Sequence, residues 1–145
     1  MYLTKEKFKI QDLVAMTTKP SRVLIISPDV ILREIYQKHL EADEFLVALG
    51  RYPEVMPTLG ELTSYDLLVL EVIKEVFEEQ RRWLEDVKNT YPEVKVITVG
   101  IGLPEDALTN LMSTGIIGHI DRKLTRPQDL VLLIKTIIQP NSLSL

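Results

Sequence analysis

The stretch that decides the fold is Ser64-Tyr65-Asp66-Leu67-Leu68-Val69-Leu70-Glu71. Its centre, residues 67–70, is a continuous apolar run, which is typical of a parallel strand covered on both faces. Glu71 ends that run with a carboxylate, at the end of the strand where open α/β sheets place their functional groups. We therefore expect a buried strand that presents Glu71 at the carboxyl edge of a sheet.

Apolar runs of this kind recur along the chain and alternate with helical patterns. The runs span residues 22–26, 45–49, 67–70, 94–99 and 116–120. Such alternation predicts βαβ units, a parallel sheet and right-handed connections with helices on both faces. The predicted fold class is α/β, a three-layer, doubly wound sheet of five parallel strands.

Five helical patterns accompany the predicted strands. The first three cover residues 29–42, 53–63 and 75–90. The fourth begins at Pro104, and the fifth begins with the capping-box pattern Thr125-x-x-Gln128. Asp29 is the expected cap of the first helix, because its side chain can accept from the free N–H groups of the first turn. Pro57 and Gly60 both interrupt the second predicted helix.

The length of 145 residues predicts one domain with a sizeable core. We assign residues 21–140 to this domain, residues 1–20 to an N-terminal extension and residues 141–145 to a C-terminal tail. The extension has two open interpretations: a short amphipathic helix or a frayed arm.

Composition excludes several classes of function. The net charge is −4, from 17 basic and 21 acidic residues, which predicts neither a nucleic-acid partner nor a membrane surface. The absence of cysteine excludes disulfides, thiolate catalysis and cysteine metal sites. No apolar run is long enough to span a bilayer, and no signal-peptide pattern follows Met1, so we expect a cytoplasmic location. With two distant histidines and no nucleotide fingerprint, we predict no metal, no cofactor and no enzyme.

Polar residues lie where the predicted strands end. Ser27-Pro28-Asp29 follows the first strand, Glu71 the third, and Thr98 lies near the end of the fourth; the fifth lies within Gly115-Ile116-Ile117-Gly118-His119-Ile120-Asp121-Arg122-Lys123. This order and spacing resemble the receiver domain of two-component response regulators, over roughly residues 21–139. The resemblance implies the flavodoxin-like strand order 2-1-3-4-5. It also places His119 on the family's switch aromatic and Arg122 on its lysine.

The chain departs from receivers at the residues that carry their chemistry. The resemblance implies paired acids for magnesium where Ser27 and Pro28 stand, and a phosphorylated aspartate where Glu71 stands. The loop at residues 72–77 also lacks the family's Pro-x-x-Asp-Gly turn. Magnesium needs hard oxygen ligands, and phosphoryl transfer needs a divalent metal. We therefore predict a degenerate phosphorylation pocket, formed by Ser27, Pro28, Asp29, Glu71, Thr98 and Arg122.

Glu71 has two open interpretations. Its longer side chain places the charge nearer to where a phosphoryl group would lie, and Thr98 and Arg122 would then hold it by charge-assisted hydrogen bonds, in imitation of a phosphorylated state. The alternative is a solvated carboxylate that remains after function was lost. His119 is similarly a rotamer switch, a pH-sensitive group, or simply a partly exposed side chain at a strand end.

The last predicted helix carries more apolar surface than one core-facing stripe needs. We expect Val131, Leu132 and Ile138 to point outward and Ile134 and Ile137 to point inward. The outward residues are either an interface or are covered by residues 1–20. The segment at residues 78–82 is predicted to be an ordinary charged helix face.

The resemblance and the departures together predict a non-catalytic pseudo-receiver, a signalling module that acts by protein–protein contact. Receivers bind a signalling protein or a second protomer on the face of their fourth helix, fifth strand and fifth helix, and we expect the same face to be used here. The alternative is a domain that senses a small molecule at the carboxyl ends of the strands.

Overall fold

The computed structural model of the protein describes residues 20–42, 45–50 and 59–138. The predictions for the N-terminal extension before Pro20, for the start of the second helix and for the C-terminal tail lie outside these residues.

The described residues contain one sheet of five parallel strands. The strands are β1 (Arg22–Ile26), β2 (Leu46–Gly50), β3 (Leu67–Glu71), β4 (Lys95–Gly100) and β5 (Gly118–Asp121). Their order is β2-β1-β3-β4-β5, and every neighbouring pair is parallel. The predicted fold class and strand order are therefore confirmed.

Four α-helices lie within the described residues. They are α1 (Val30–Ala42), α2 (Phe77–Thr90), α3 (Glu105–Met112) and α4 (Pro127–Ile138). A short 3₁₀ turn, Lys74–Val76, precedes α2. The last predicted helix is therefore α4 of the structure.

The second predicted helix is wrong in type over the residues that are described, because Leu59–Ser64 forms a 3₁₀ helix. Two hydroxyl groups bond three residues back, Thr63 to the Gly60 carbonyl at 3.0 Å and Ser64 to the Glu61 carbonyl at 2.8 Å. Such bonds suit a tight turn, and Gly60 disfavours a regular helix.

The sheet has a core on each face. Helices α1 and α4 cover one face, where Tyr36, Leu130 and Ile134 pack on alternate strand residues such as Val23 and Ile25. The second core lies on the opposite face, and α2 and α3 contribute to it. Its buried members include Leu24, Ile26, Leu84, Val87 and Leu111. Residues 67–70 of β3 are at most 2% exposed, as the continuous apolar run predicts.

The strand register brings the polar residues to one edge. Ile26 pairs with Leu70, so that Ser27 and Glu71 follow side by side at the carboxyl ends of β1 and β3. Thr98 pairs with His119, and Arg122 follows directly after β5. The loops that leave this edge enclose the candidate site.

Candidate functional site

Glu71 is the centre of a closed polar cluster. Its side chain is only 13% exposed. Ser27 Oγ donates to Glu71 Oε2 at 2.7 Å, and the Arg122 guanidinium donates to Glu71 Oε1 at 2.5 Å. Both carboxylate oxygens therefore have a partner within the chain, and the interpretation of Glu71 as a merely solvated carboxylate does not fit this geometry.

Arg122 bridges two carboxylates, one at the end of β3 and one in the loop before α1. One terminal nitrogen bonds to Glu71, and the other lies 3.6 Å from Asp29 Oδ2. The backbone N–H of Arg122 donates to the Gly100 carbonyl at 2.9 Å, which fixes the start of this loop beside β4. The guanidinium thus links the end of β3 to the loop before α1, each of which carries a carboxylate.

Asp29 has the structural role that the sequence predicts. Its Oδ1 accepts from the N–H groups of Ile31 at 3.0 Å and Leu32 at 3.2 Å, so it caps α1. The N–H of Asp29 donates to Ser27 Oγ at 3.0 Å, so the Ser27 hydroxyl accepts one bond and donates another. Pro28, between them, is exposed and makes no side-chain hydrogen bond.

Thr98 does not hold Glu71, so that part of the prediction is wrong. Thr98 Oγ1 instead shares a hydrogen bond of 2.8 Å with His119 Nδ1. The physical reason is register: Thr98 and His119 are direct neighbours on paired strands, where side chains of one face contact each other.

His119 is packed closely at this position. A Cβ at Gly100 would lie 3.1 Å from His119 Cε1 and 3.3 Å from the Val72 carbonyl oxygen, so a larger residue would have to displace the ring or the backbone by a few tenths of an ångström. Burial lowers the pKa of His119, and the Asp121 carboxylate opposes this shift. His119 also lines an open groove of about 420 Å³ with Leu103, Leu108, Met112 and Asp121, between α3 and β5.

Two residues near the cluster were missed by the sequence reasoning. Gln80 is 1% exposed: its Nε2 donates to the Glu71 carbonyl at 2.9 Å, and its Oε1 accepts from the Ile73 N–H at 2.7 Å. The prediction of an ordinary charged face at residues 78–82 therefore does not hold at Gln80, whose side chain is buried. Helical spacing from Leu84 and Val87 is the signal that reveals it, because residues 80, 84 and 87 share one stripe.

Tyr36 is the second missed residue. It is buried in α1, and burial raises the pKa of its phenol, while the positive charge of Arg122 opposes the shift and the carboxylates of Glu71 and Asp29 add to it. The pKa of Tyr36 therefore depends on the charges of Arg122, Glu71 and Asp29. Its place on one stripe with Leu40 is the sequence signal for its burial.

The outward face of α4 differs from the prediction. Val131 is 5% exposed and belongs to the core with Leu130 and Ile134, so the expectation that it points outward is wrong. Leu132 is exposed as predicted, and its neighbour Leu133 joins it. Ile138, which was expected to point outward, is instead partly buried against the core, as is Ile137. A run of apolar residues leaves the helix phase ambiguous, and the sequence pattern alone does not separate Val131 from Leu133.

The resemblance implies a magnesium ion at this edge, and the residues present do not fit one. Arg122 fills the space between Glu71 and Asp29 with its own positive charge. Asp29 Oδ1 accepts a hydrogen bond from the first turn of α1, and the Ser27 hydroxyl donates a hydrogen bond to Glu71. Within the described ranges, no group of three acidic or histidine side chains is arranged to hold a metal ion. We therefore derive no chemistry from a metal at this site.

Comparisons with known proteins agree with the architecture. No protein-family model and no curated protein matches the sequence. Solved structures do match. An orphan response regulator of H. pylori is 18% identical, with a TM-score of 0.67 over 82% of this chain and 97% of that one. A CheY-like receiver domain protein from Methanospirillum hungatei is 19% identical, with a TM-score of 0.67 over 86% and 98%.

A third solved structure is an atypical orphan response regulator with a phosphorylation-independent regulatory mechanism. It is 16% identical, with a TM-score of 0.62 over 81% of this chain and 95% of that one. Across the part of the chain that is described, no helix has the length and apolar character needed to cross a bilayer. The chain has the fold of response regulator receiver domains.

Proposed function

We propose that this protein is a non-catalytic, receiver-like signalling module whose pocket is held in one state without phosphorylation. The observation that carries the proposal is the Glu71 carboxylate, which is bonded on one oxygen to Ser27 and on the other to Arg122. In a receiver this position receives the phosphoryl group and the metal. Here its bonding capacity is used by side chains of the same chain.

The electrostatics of the cluster support this proposal. A phosphoryl group brings roughly two negative charges at neutral pH. Glu71 and Asp29 already supply two carboxylates, and Arg122 is the cation that contacts both of them. A further anion would have to displace the Glu71 carboxylate from Arg122, which costs a charge-assisted hydrogen bond and leaves a half-buried carboxylate without its cation.

The same contacts are consistent with Glu71 as a permanent imitation of a charged pocket. Its carboxylate draws in the residue at the receiver lysine position, Arg122, as an added negative charge would. Thr98 takes no part, because it is bonded to His119. The similarity to an atypical regulator with a phosphorylation-independent mechanism supports such a mode of action.

The proposed output is contact with a signalling protein or with a second copy of the chain. Exposed apolar side chains lie on α3, at Met112, and on α4, at Leu132 and Leu133, and Met112 also lines the groove beside His119. Leu132, at 57% exposure, is the most exposed of the large apolar side chains described in α4. Burying this surface in a complex would remove it from water.

The alternative of a small molecule bound at the carboxyl ends of the strands has less support. The polar groups of Ser27, Glu71 and Asp29 bond to one another, to Arg122 or to α1, and so do not converge on a ligand-sized space.

Treatment with acetyl phosphate and magnesium, followed by intact-mass measurement, tests the proposal. We expect no phosphoryl adduct on this protein, while an ordinary receiver mixed into the same reaction as a positive control gains one. An adduct that maps to Glu71 would overturn the proposed function.

A further inference from the structure

Gln80 is an uncharged polar side chain at a place where a helix ordinarily buries an apolar one. It shares the buried stripe of α2 with Leu84 and Val87 and is 1% exposed. A buried amide is costly unless its donor and acceptor are both paired. Here Nε2 donates to the Glu71 carbonyl and Oε1 accepts from the Ile73 N–H. The amide therefore bonds to the backbone on both sides of Val72.

The intervening residue is fixed as well. The N–H of Val72 donates to the Val99 carbonyl of β4 at 2.7 Å, and the Val72 side chain is buried. Three consecutive residues, from Glu71 to Ile73, are thus bonded alternately to α2 and to β4. A loop with few backbone bonds opens readily, whereas each of these bonds must break before this loop moves.

We propose that Gln80 is a positioning residue that clamps the loop after β3, so that the Glu71 side chain stays directed at Ser27 and Arg122 without a metal or a phosphoryl group. The inference rests on the proposed function, because it names the device that keeps the pocket in its single state. The clamp also couples α2 to the pocket, since a shift of α2 moves the Glu71 carbonyl with it.

Amide hydrogen exchange measures the clamp directly. In the wild-type protein, we expect the Ile73 N–H to be protected like the amides of a strand rather than like those of an open loop. Fast exchange at Ile73 in the unaltered protein would overturn the proposal, whatever any variant does.

Gln80→Leu removes both hydrogen bonds and keeps an apolar filling of similar size. We expect Ile73 exchange to rise by about tenfold or more, with the centre of β3 far less affected. The matched control is Gln37→Leu on α1, whose amide bonds to Glu41 at the surface, 3.0 Å away. This control should leave Ile73 unchanged. Equal protection of Ile73 in Gln80→Leu and in the wild type would contradict the clamp.

Gln80→Glu separates the two bonds. Once it is ionised, its carboxylate can still accept from the Ile73 N–H but can no longer donate to the Glu71 carbonyl. Because burial favours the neutral acid, which keeps both bonds, this variant is compared with the wild type above the pH at which its carboxyl ionises. We expect Ile73 to stay protected and the Arg122 side-chain N–H resonances to shift, because Glu71 loses its anchor. Unshifted Arg122 signals would show that Gln80 does not position Glu71. This outcome is independent of phosphorylation, so the clamp and the proposed function can fail separately.

Discussion

The guanidinium of Arg122 lies 2.5 Å from the Glu71 carboxylate, and both side chains are shielded from solvent, at 21% and 13% exposure. A pair of this kind is stronger than a surface ion pair, because water and salt screen it less. Ser27 completes the bonding of Glu71, and Asp29 lies on the other side of Arg122. The negative charge at the carboxyl edge of the sheet is therefore partly neutralised by a side chain of the protein itself.

Arg122→Met should destabilise the fold, because it leaves the half-buried Glu71 carboxylate without its cation. We expect the free energy of unfolding to fall by about 2 kcal/mol, the order of a lost hydrogen bond to a charged group. Urea unfolding measures the change. Arg126→Met is the matched control, since Arg126 pairs with Asp129 at the exposed start of α4, where the two side chains are 75% and 48% exposed, and it should cause no measurable loss. Equal effects of the two substitutions would show that the Arg122 pair is ordinary surface charge.

Magnesium should not stabilise the wild-type protein. A ligand at 100 times its dissociation constant contributes about 2.7 kcal/mol to stability, which a thermal melt detects easily. Because Arg122 already contacts Glu71 and Asp29, millimolar magnesium should leave the melting temperature unchanged. In Arg122→Met, the two carboxylates lose their shared cation, and a small magnesium-dependent rise is expected there. A saturable rise in the wild type would mean that the guanidinium does not take the place of a metal.

The fold was predictable because its signals are redundant. Each strand is a short apolar run, and the uniform burial of residues 67–70 matches the continuous run that indicates a central parallel strand. Leu59–Ser64 was predicted less well, because glycine and hydroxyl side chains that bond back to the backbone decide between a 3₁₀ turn and an α-helix. Propensity alone carries little information at that level.

The site was predictable only in part. The resemblance to receivers suggested, as one of two interpretations of Glu71, that Arg122 bonds to its carboxylate, and the two side chains do meet. The partner of Thr98 depends on the register between β4 and β5, which a run of apolar residues does not specify. The charged neighbours of Gln80 favour an exposed position. Its burial follows only when Leu84 and Val87 are taken as the buried side of α2, because Gln80 lies on the same side.

His119 should make stability depend on pH. Burial lowers its pKa below the ordinary value of 6.5, so between the two values the unfolded chain binds more protons than the folded one. The contribution of neutral His119 to the free energy of unfolding is complete above pH 6.5. It is lost as the pH falls through the lowered pKa of the folded protein. We expect the wild type to lose more stability than His119→Gln between about pH 8 and about pH 5. Guanidinium unfolding at both pH values measures the free energy of unfolding of the two proteins. A difference between wild type and His119→Gln that stays constant with pH would contradict the expectation.

Gly100→Ala tests the close packing between β4 and His119. The new Cβ would meet the imidazole ring at 3.1 Å and the backbone oxygen of Val72 at 3.3 Å, and the backbone cannot easily yield. We expect a loss of about 1–3 kcal/mol, as for other overpacked interiors, and a changed chemical shift of the His119 ring. Gly60→Ala is the control, because nothing lies within 4 Å of its added Cβ. If both variants are equally stable, the ring has more freedom than the structure gives it.

The exposed face of α4 is the final test, because it bears on the proposed function. Leu132→Lys places a charge at a side chain that is 57% exposed, so it should leave the fold intact and weaken any complex in which this face is dry. Val131→Lys is the matched control at the adjacent position: Val131 is 5% exposed, and a charge there should unfold the domain. Circular dichroism separates the two outcomes.

Sedimentation and pull-down with a candidate partner then measure association for the folded Leu132→Lys variant, with Leu133→Lys as a second outward change. Weakened self-association or partner binding in both variants would place the interface on α4, because two independent charges would have the same effect through one buried surface. If both variants remain folded and every complex forms with unchanged affinity, contact must occur elsewhere, and the groove beside His119, which Met112 helps to line, becomes the next surface to alter.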